Sequence, residues 1–241
     1  MSRHARHIAL AQIGTDGQQK ISDASVLLIG VGGIGCAAAS YLVSSGVGHV
    51  ALNDFDTVDE TNLGRQVLFG PDDLNQSKAD VAVRKLAALN PDIRVTSIRD
   101  RLDAAAMAQA IEEVDVVLDG SDNFATRFLV NDACVSVGRC LISGAAIRLE
   151  GQVAVFGPKY DTSPCYRCLY EEADESLENC AGNGVLAAVP GVIGTLMAVE
   201  ALKHLAGIDS ARGVLQLYDA GNGRFQSVNI AKRDDCPGCG S

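Results

Sequence analysis

Three features of the sequence predict its fold class. From Ser25 onward short β-rich runs alternate with longer helical patterns, a glycine-rich turn joins the first run to the first long helix, and the texture changes after Gly144. Alternation of this kind marks βαβ units around a parallel sheet. The predicted fold is therefore α/β: a Rossmann-like, doubly wound, mainly parallel sheet with helices on both faces, continued by a C-terminal part with antiparallel strands and a four-cysteine metal site.

The strands expected in the first part are Val26 to Ile29, His49 to Asn53, Arg94 to Ile98, Val114 to Leu118 and Cys140 to Ser143, most of them apolar enough to be covered on both faces. Ser77 stands at an N-cap position before a helix over Lys78 to Leu89, and Asn90-Pro91 stops it because proline cannot continue a helix. Asp103 caps Ala104 to Glu112 in the same way. After Gly144, Glu150 to Phe156 alternates as a strand, and an apolar helix runs from about Ala187 to Leu205. Its Gly191, Gly194 and Ala198 would admit another backbone at close range. Val214 to Tyr218 and Phe225 to Ile230 close the chain as two further strands. No internal repeat and no linker rich in Pro, Gly and Ser divides residues 1–241, so one continuous domain is expected, with a core over about 20–145 and an appended part over about 146–241.

A chain of 241 residues with 47% hydrophobic and 21% charged residues can bury a full core and is not a disordered chain. Twenty Lys and Arg against thirty Asp and Glu leave a net charge of −10. That balance argues against general binding of nucleic acid or anionic membrane, both of which need clustered positive charge. The N-terminal Met-Ser-Arg-His-Ala-Arg-His lacks the apolar run of a secretory signal. The stretch from Val185 to Val199, broken by Pro190, Gly191 and Gly194, is short of the ~20 residues a membrane span needs. The expectation is a cytoplasmic protein whose eight cysteines have uses other than disulfides.

Gly30-Val31-Gly32-Gly33-Ile34-Gly35 follows the first strand and opens a helix, the setting in which a G-x-G-x-x-G match carries weight. Its glycines permit a tight turn and let backbone N–H groups at the positive end of the helix reach phosphate oxygens. Asp54, 21 residues past Gly33, is placed to accept a ribose hydroxyl. A turn that merely packs helix on strand is the bland alternative. ATP is favoured over a dinucleotide because cleavage of a triphosphate needs its developing charge neutralised. Asp56, Asn62, Arg65, Gln66 and Lys78 supply polar and cationic groups after the second strand, and Asp122 and Asn123 follow the fourth, where a carboxylate at the sheet edge suits Mg²⁺.

Cys165-Tyr166-Arg167-Cys168 and Cys236-Pro237-Gly238-Cys239 are two C-x-x-C knuckles, a pattern that points to one tetrahedral Zn²⁺. Two redox dithiols are the weaker alternative, since neither pair follows a strand and opens a helix in thioredoxin fashion. Cys36, Cys134 and Cys140 fall at apolar positions and read as small core residues. Cys180 stands alone on an acidic loop with Glu171, Glu172, Asp174, Glu175 and Glu178, whose carboxylates disfavour a thiolate.

Taken in order, the glycine turn, Asp54-Phe55-Asp56, Asn62-Leu63-Gly64-Arg65-Gln66, Lys78 and Ser121-Asp122-Asn123 resemble the E1-like adenylyltransferase family of bacterial HesA, MoeB and ThiF, from about Arg3 to Gly240. The resemblance implies an enzyme that binds ATP and Mg²⁺ and adenylates the C-terminal glycine of a small ubiquitin-like sulfur-carrier protein ending in Gly-Gly, releasing pyrophosphate. The product would serve sulfur transfer in molybdopterin, thiamin or related thio-metabolite synthesis, with a sulfurtransferase or cysteine desulfurase as a further partner. Carried onto this sequence, it implies that Gly30, Gly32, Gly33, Asp54 and Asp56 hold the nucleotide, that Asn62, Arg65, Gln66 and Lys78 surround its phosphates, and that Asp122 with Asn123 takes Mg²⁺. It also implies a structural zinc held by the four knuckle cysteines, a homodimer in which Arg6 reaches the neighbouring subunit's site, and a catalytic set of Arg6, Arg65, Lys78, Asp122 and Cys180, the last linking to the activated carrier. Chemistry agrees, because a carboxylate nucleophile is ionised at neutral pH and needs only positioning and charge neutralisation.

The sequence departs from the family pattern where Ser121 replaces Thr, where Asn75 replaces a Gly before Gln76-Ser77-Lys78, and in Cys180-Ala181-Gly182-Asn183-Gly184-Val185, a loop that would meet the carrier tail. Three other readings compete. An NAD-dependent oxidoreductase would need a hydride-transfer acid or base, and His4, His7, His49 and His204 have no evident catalytic setting. An ATP-dependent tRNA-modifying relative fits the acidic balance poorly. A zinc-stapled scaffold without chemistry leaves Arg65, Lys78 and Asp122 unexplained.

Overall fold

The computed structural model describes residues 3–170, 184–209 and 212–240. Cys180 and the Ala181-Gly182-Asn183 departure lie outside them. Strands β1 (Ser25–Ile29), β2 (His49–Asn53), β3 (Arg94–Ile98), β4 (Val116–Asp119) and β5 (Cys140–Ile147) pair in parallel. Strands β6 (Glu150–Phe156), β7 (Val214–Asp219) and β8 (Arg224–Asn229) continue the same sheet antiparallel, giving the order β3-β2-β1-β4-β5-β6-β7-β8.

Alternating side chains send the central strands into two cores. Val26 and Leu28 of β1, with Val50, Leu52, Val116 and Leu118, meet α2 (Gly14–Asp23), α3 (Gly33–Ser44), α4 (Lys78–Leu89) and α8 (Ala188–Ala206) on one face. Leu27 and Ile29, with Val117 and Leu141, meet α5 (Ala104–Glu112) and α6 (Phe124–Val137) on the other. This is why the central parallel strands carry continuous apolar runs, whereas β3, at the sheet's edge, reads Arg-Val-Thr-Ser-Ile and is exposed or half-buried throughout. Of two short helices, α1 (Ala5–Ile8) packs on α2, and α7 (Tyr166–Leu169) packs on α6 with Tyr166 buried in the second core.

Local capping set the helix starts as expected. Ser77 Oγ accepts from the Asp80 N–H at 3.4 Å and Asp103 Oδ1 from the Ala106 N–H at 2.9 Å. β4 begins at Val116, two residues later than expected: Val114 still belongs to the turn that closes α5, its N–H donating to the Ile111 carbonyl at 3.4 Å, and Asp115 meets Ser25 through its N–H at 2.9 Å and its carboxylate at 2.8 Å. β5 runs on to Ile147 because its far half pairs with β6, Ile147 opposite Glu150.

Helix α8 has 19 residues and is apolar and long enough, by composition alone, to cross a bilayer. Here it is a core helix, with Ile193, Met197 and Ala201 fully buried. Gly194 makes its closest approach possible: a Cβ there would stand 2.1 Å from the Ile34 carbonyl oxygen of α3. Ala198 is buried, whereas a Cβ on Gly191 would meet nothing within 4 Å, so the small-residue expectation holds for Gly194 and not for Gly191. Asn75 has φ +63, the left-handed conformation glycine favours and asparagine tolerates best among other residues. Its replacement of the family's glycine keeps the backbone turn into α4.

Candidate active site

The strand order reverses between β1, which continues to β2, and β4, which continues to β5. In open α/β sheets the crevice outside the carboxyl ends of the strands at such a switch point is where ligands bind. A cavity of about 490 Å³ opens there, within the ~300–1,000 Å³ range of small-molecule sites. Its wall takes in Gly30, Gly32 and Gly33 after β1, Asp54 and Asp56 after β2, Arg65 and Gln66, Lys78 at the start of α4, and Asp122 and Asn123 after β4. Residues spread over about a hundred positions of sequence meet because each closes or follows a parallel strand.

Gly30 has φ +82 and packs against the Gly120 carbonyl, while a Cβ on Gly35 would lie 2.0 Å from the Gly30 oxygen. The turn is therefore closed to larger residues. Gly32 caps α3 and has no side chain to occupy the first-turn N–H groups; they are a ready anion site. Asp54 is buried, its Oδ2 accepting from the Val31 N–H at 2.7 Å and its Oδ1 from the Asp56 N–H at 2.9 Å. Those bonds fix the carboxylate under the glycine turn. Burial raises its pKa despite them.

Lys78 is 6% exposed, and its Nζ pairs with Asp56 Oδ2 at 3.0 Å. Arg65 is held by its Nη1 donating to the Thr61 carbonyl at 2.8 Å. Two cations thus face the cavity close to the glycine turn. Gln66 is buried in the wall, and neither its Oε1 nor the Ser121 Oγ has a hydrogen-bond partner among the described residues. Asn62 is not part of the wall: its carbonyl accepts from the Arg65 and Gln66 N–H groups at 3.0 and 2.9 Å and shapes the turn that carries them. Arg6 sits exposed on α1 and is not among the residues that line this chain's cavity.

Several wall residues escaped the sequence reading. Arg101 lies over the Phe55 ring at 4.1 Å, and both line the cavity. At the other end Gln152 and Tyr170 exchange hydrogen bonds at 2.7 and 3.0 Å. Arg127 of α6 is also in the wall, although 6% exposed; a charged residue in an apolar helix was the available signal.

The four knuckle cysteines come together on the α6 side of the sheet. Their sulfurs all lie within 4.8 Å of one another. The closest pairs are Cys165–Cys236 at 3.6 Å and Cys168–Cys239 at 3.5 Å, against an Sγ···Sγ separation of ~3.8 Å for a tetrahedron of ~2.3 Å Zn–S bonds. The set fits zinc. Burial and the neighbouring thiols hold the Cys165 thiol well up, whereas at Cys236 the Cys239 and Gly238 N–H groups overcome burial and bring it down to about 7. Cys36, Cys134 and Cys140 are buried as expected, and burial pushes the Cys36 and Cys140 thiols up to about 12.

The ThiF family matches residues 4–238. The sulfur carrier protein ThiS adenylyltransferase of Escherichia coli (strain K12) is 43% identical over 99% of this chain and 94% of its own length. The adenylyltransferase and sulfurtransferase MOCS3 of Xenopus laevis is 44% identical over 98% of this chain, which spans 53% of that protein. Among solved structures, Escherichia coli MccB with ATP superposes with a TM-score of 0.86 at 25% identity, covering 99% of this chain and 74% of that one. With a family match across nearly its whole length and a cavity built from the family's motifs, the chain belongs to the ThiF family.

Proposed function

We propose that this protein is an ATP-dependent adenylyltransferase that activates the C-terminal glycine carboxylate of a small ubiquitin-like sulfur-carrier protein. The observation that carries the reading is the convergence of a glycine turn, a buried Asp54, two cations and Asp122 on one cavity at the switch point. The α3 N-terminus, Arg65 and Lys78 would take the phosphates, and Asp54 the ribose. The carrier's carboxylate oxygen would attack the α-phosphorus as the bond to the β-phosphate bridging oxygen breaks, giving an acyl-adenylate and pyrophosphate. Charge accumulates on the leaving pyrophosphate, where Arg65 and Lys78 stabilise it. No proton has to move.

Asp122 suits Mg²⁺ by its donor chemistry. Among the described residues the cysteines form the one cluster of three or more metal-binding side chains, and Mg²⁺ is commonly held by one or two carboxylates with substrate phosphates completing its shell. The metal would neutralise phosphate charge. Arg6 would enter the neighbouring subunit's site in a homodimer, consistent with its exposure and with its not lining its own chain's cavity. The cysteine set would hold a structural zinc, since four protein ligands leave no open position, and a reducing cytoplasm would keep its thiols available. We read the chain as one adenylation domain whose C-terminal part receives the carrier.

The end of the cavity lined by Ala145, Gly151, Gln152 and Tyr170 would take the carrier tail. The test is ATP–pyrophosphate exchange with a Gly-Gly carrier. Exchange that depends on the carrier's last glycine is expected. Binding of NADH in preference to ATP, measured by calorimetry, would overturn the reading.

A further inference from the structure

The residue immediately before Asp122 is gripped from both sides by a buried acid and a buried base. Asp119, at the end of β4, is 0% exposed, and its Oδ1 accepts from the Ser121 N–H at 3.0 Å. Arg127 donates to the Ser121 carbonyl from Nε at 3.2 Å and from Nη2 at 2.8 Å. Burying both charges is expensive even when they attract each other. Burial holds the Asp119 pKa up, with Arg127 opposing it. A strand-to-helix turn does not require such a pair; apolar side chains and the Asn123 cap of α6 would serve.

What the pair fixes is one residue, Ser121: Asp119 holds the peptide unit before it by its N–H and Arg127 the unit after it, which leads into Asp122, by its carbonyl. Asp122 itself is exposed, and the hydrogen bond described for its carboxylate is a long one, 3.4 Å from Asn123 Nδ2. Its aim therefore depends on its backbone. Arg127 is in turn carried on a helix that is tied down at Asn131, whose Oδ1 accepts from the Tyr166 N–H at 2.8 Å beside the first cysteine knuckle. Asn123, Arg127 and Asn131 are spaced i, i+4, i+8 and share one face.

We propose that Arg127, acting with Asp119, is a positioning residue for adenylation: the two clamp Ser121 so that the Asp122 carboxylate is presented to the magnesium-bound nucleotide. The proposal rests on the assignment of Asp122 to Mg²⁺. Partners behind a metal ligand typically account for 10- to 100-fold in metal affinity. Arg127 also lines the cavity, so the competing role is direct contact with ATP.

Calorimetric ATP binding, with and without Mg²⁺, separates the two. The readout is the factor by which Mg²⁺ tightens ATP binding, taken for the intact protein and for Asp122→Asn, Arg127→Lys and the double variant. Arg127→Lys keeps the charge and loses the two-pronged grip. It is expected to cut the tightening factor by about tenfold, a larger effect than any on metal-free ATP affinity. In the Asp122→Asn background it should have no further effect. Asp119→Ala, which releases the N–H side of the clamp, should reproduce the loss and serves as the second variant if Arg127→Lys does not fold. An unchanged tightening factor in Arg127→Lys, a loss of metal-free affinity as large as the loss measured with Mg²⁺, or effects that multiply in the double variant would each overturn the clamp. An unchanged factor in Asp122→Asn would overturn the Asp122 assignment and the clamp with it, so the two failures are distinguishable.

Discussion

The nucleotide end and the cysteine end of this protein are held together by opposite means. At the nucleotide end each group sits at or just after the C-terminal edge of a parallel strand, so pairing of β1 with β2 and β4 is enough to converge Gly30, Asp54 and Asp122. The cysteine end joins partners 71 residues apart in sequence. Its outermost strand, β8, is exposed along its whole length, and residues 231–235 are exposed or half-buried. Little apolar burial fixes the C-terminal tail, where Lys232 donates to the Tyr160 carbonyl at 2.9 Å and the proposed zinc would be the main closure. One site is organised by the sheet; the other would organise the chain.

The largest effect should come from breaking that closure. Structural zinc in small sites is worth ~10–16 kcal/mol of apparent binding, so Cys236→Ser is expected to lose bound zinc and release the tail. Metal analysis and hydrogen exchange across β7 and β8 measure this, and a variant that kept one zinc per chain with unchanged protection would contradict it. The nucleotide end should behave differently, losing chemistry and keeping its fold. Lys78→Met is expected to slow carrier-dependent exchange about 10²- to 10³-fold, the ~2.7–4 kcal/mol typical of a lost charge-stabilising donor. Its thermal midpoint should move little, since the Asp56 side chain left behind is 55% exposed.

A smaller effect tests how α8 supports the nucleotide turn. Gly194→Ala places a methyl against the Ile34 carbonyl and should cost ~1–3 kcal/mol by overpacking. Gly191→Ala meets open space and should be neutral or stabilising by ~1 kcal/mol. Denaturant unfolding of both variants decides whether close approach belongs to Gly194 alone. Smallest is Asn75→Ala, expected to destabilise by ~1 kcal/mol because alanine tolerates the left-handed conformation poorly, while Asn75→Gly should not destabilise. Equal midpoints for the two would remove the backbone account of that substitution.

The same contrast governs what could be read from the sequence. α4 and α5 match their expected bounds because Ser77 and Asp103 are local signals. β2 and β6 also match, the former through its continuous apolar run and the latter through its alternation. The nucleotide wall was legible because its residues fall in short motifs at strand ends. The Asp119–Ser121–Arg127 clamp was not, since it appears only when α6 folds back over the end of β4. The Phe55–Arg101 and Gln152–Tyr170 pairs were hidden likewise, their members standing 46 and 18 residues apart in sequence and meeting only in the fold. Asn62 stands within a motif that does reach the cavity, and its carbonyl shapes the turn that carries Arg65 and Gln66 there.

The central claim is that this cavity uses ATP to activate a carrier's terminal carboxylate. ATP–pyrophosphate exchange with a Gly-Gly carrier tests it most directly, run beside the same carrier lacking its last glycine and beside Asp122→Ala. Exchange is predicted with the intact carrier and lost in both controls, with the variant's circular dichroism unchanged. Exchange that proceeded equally well without any carrier would contradict the account.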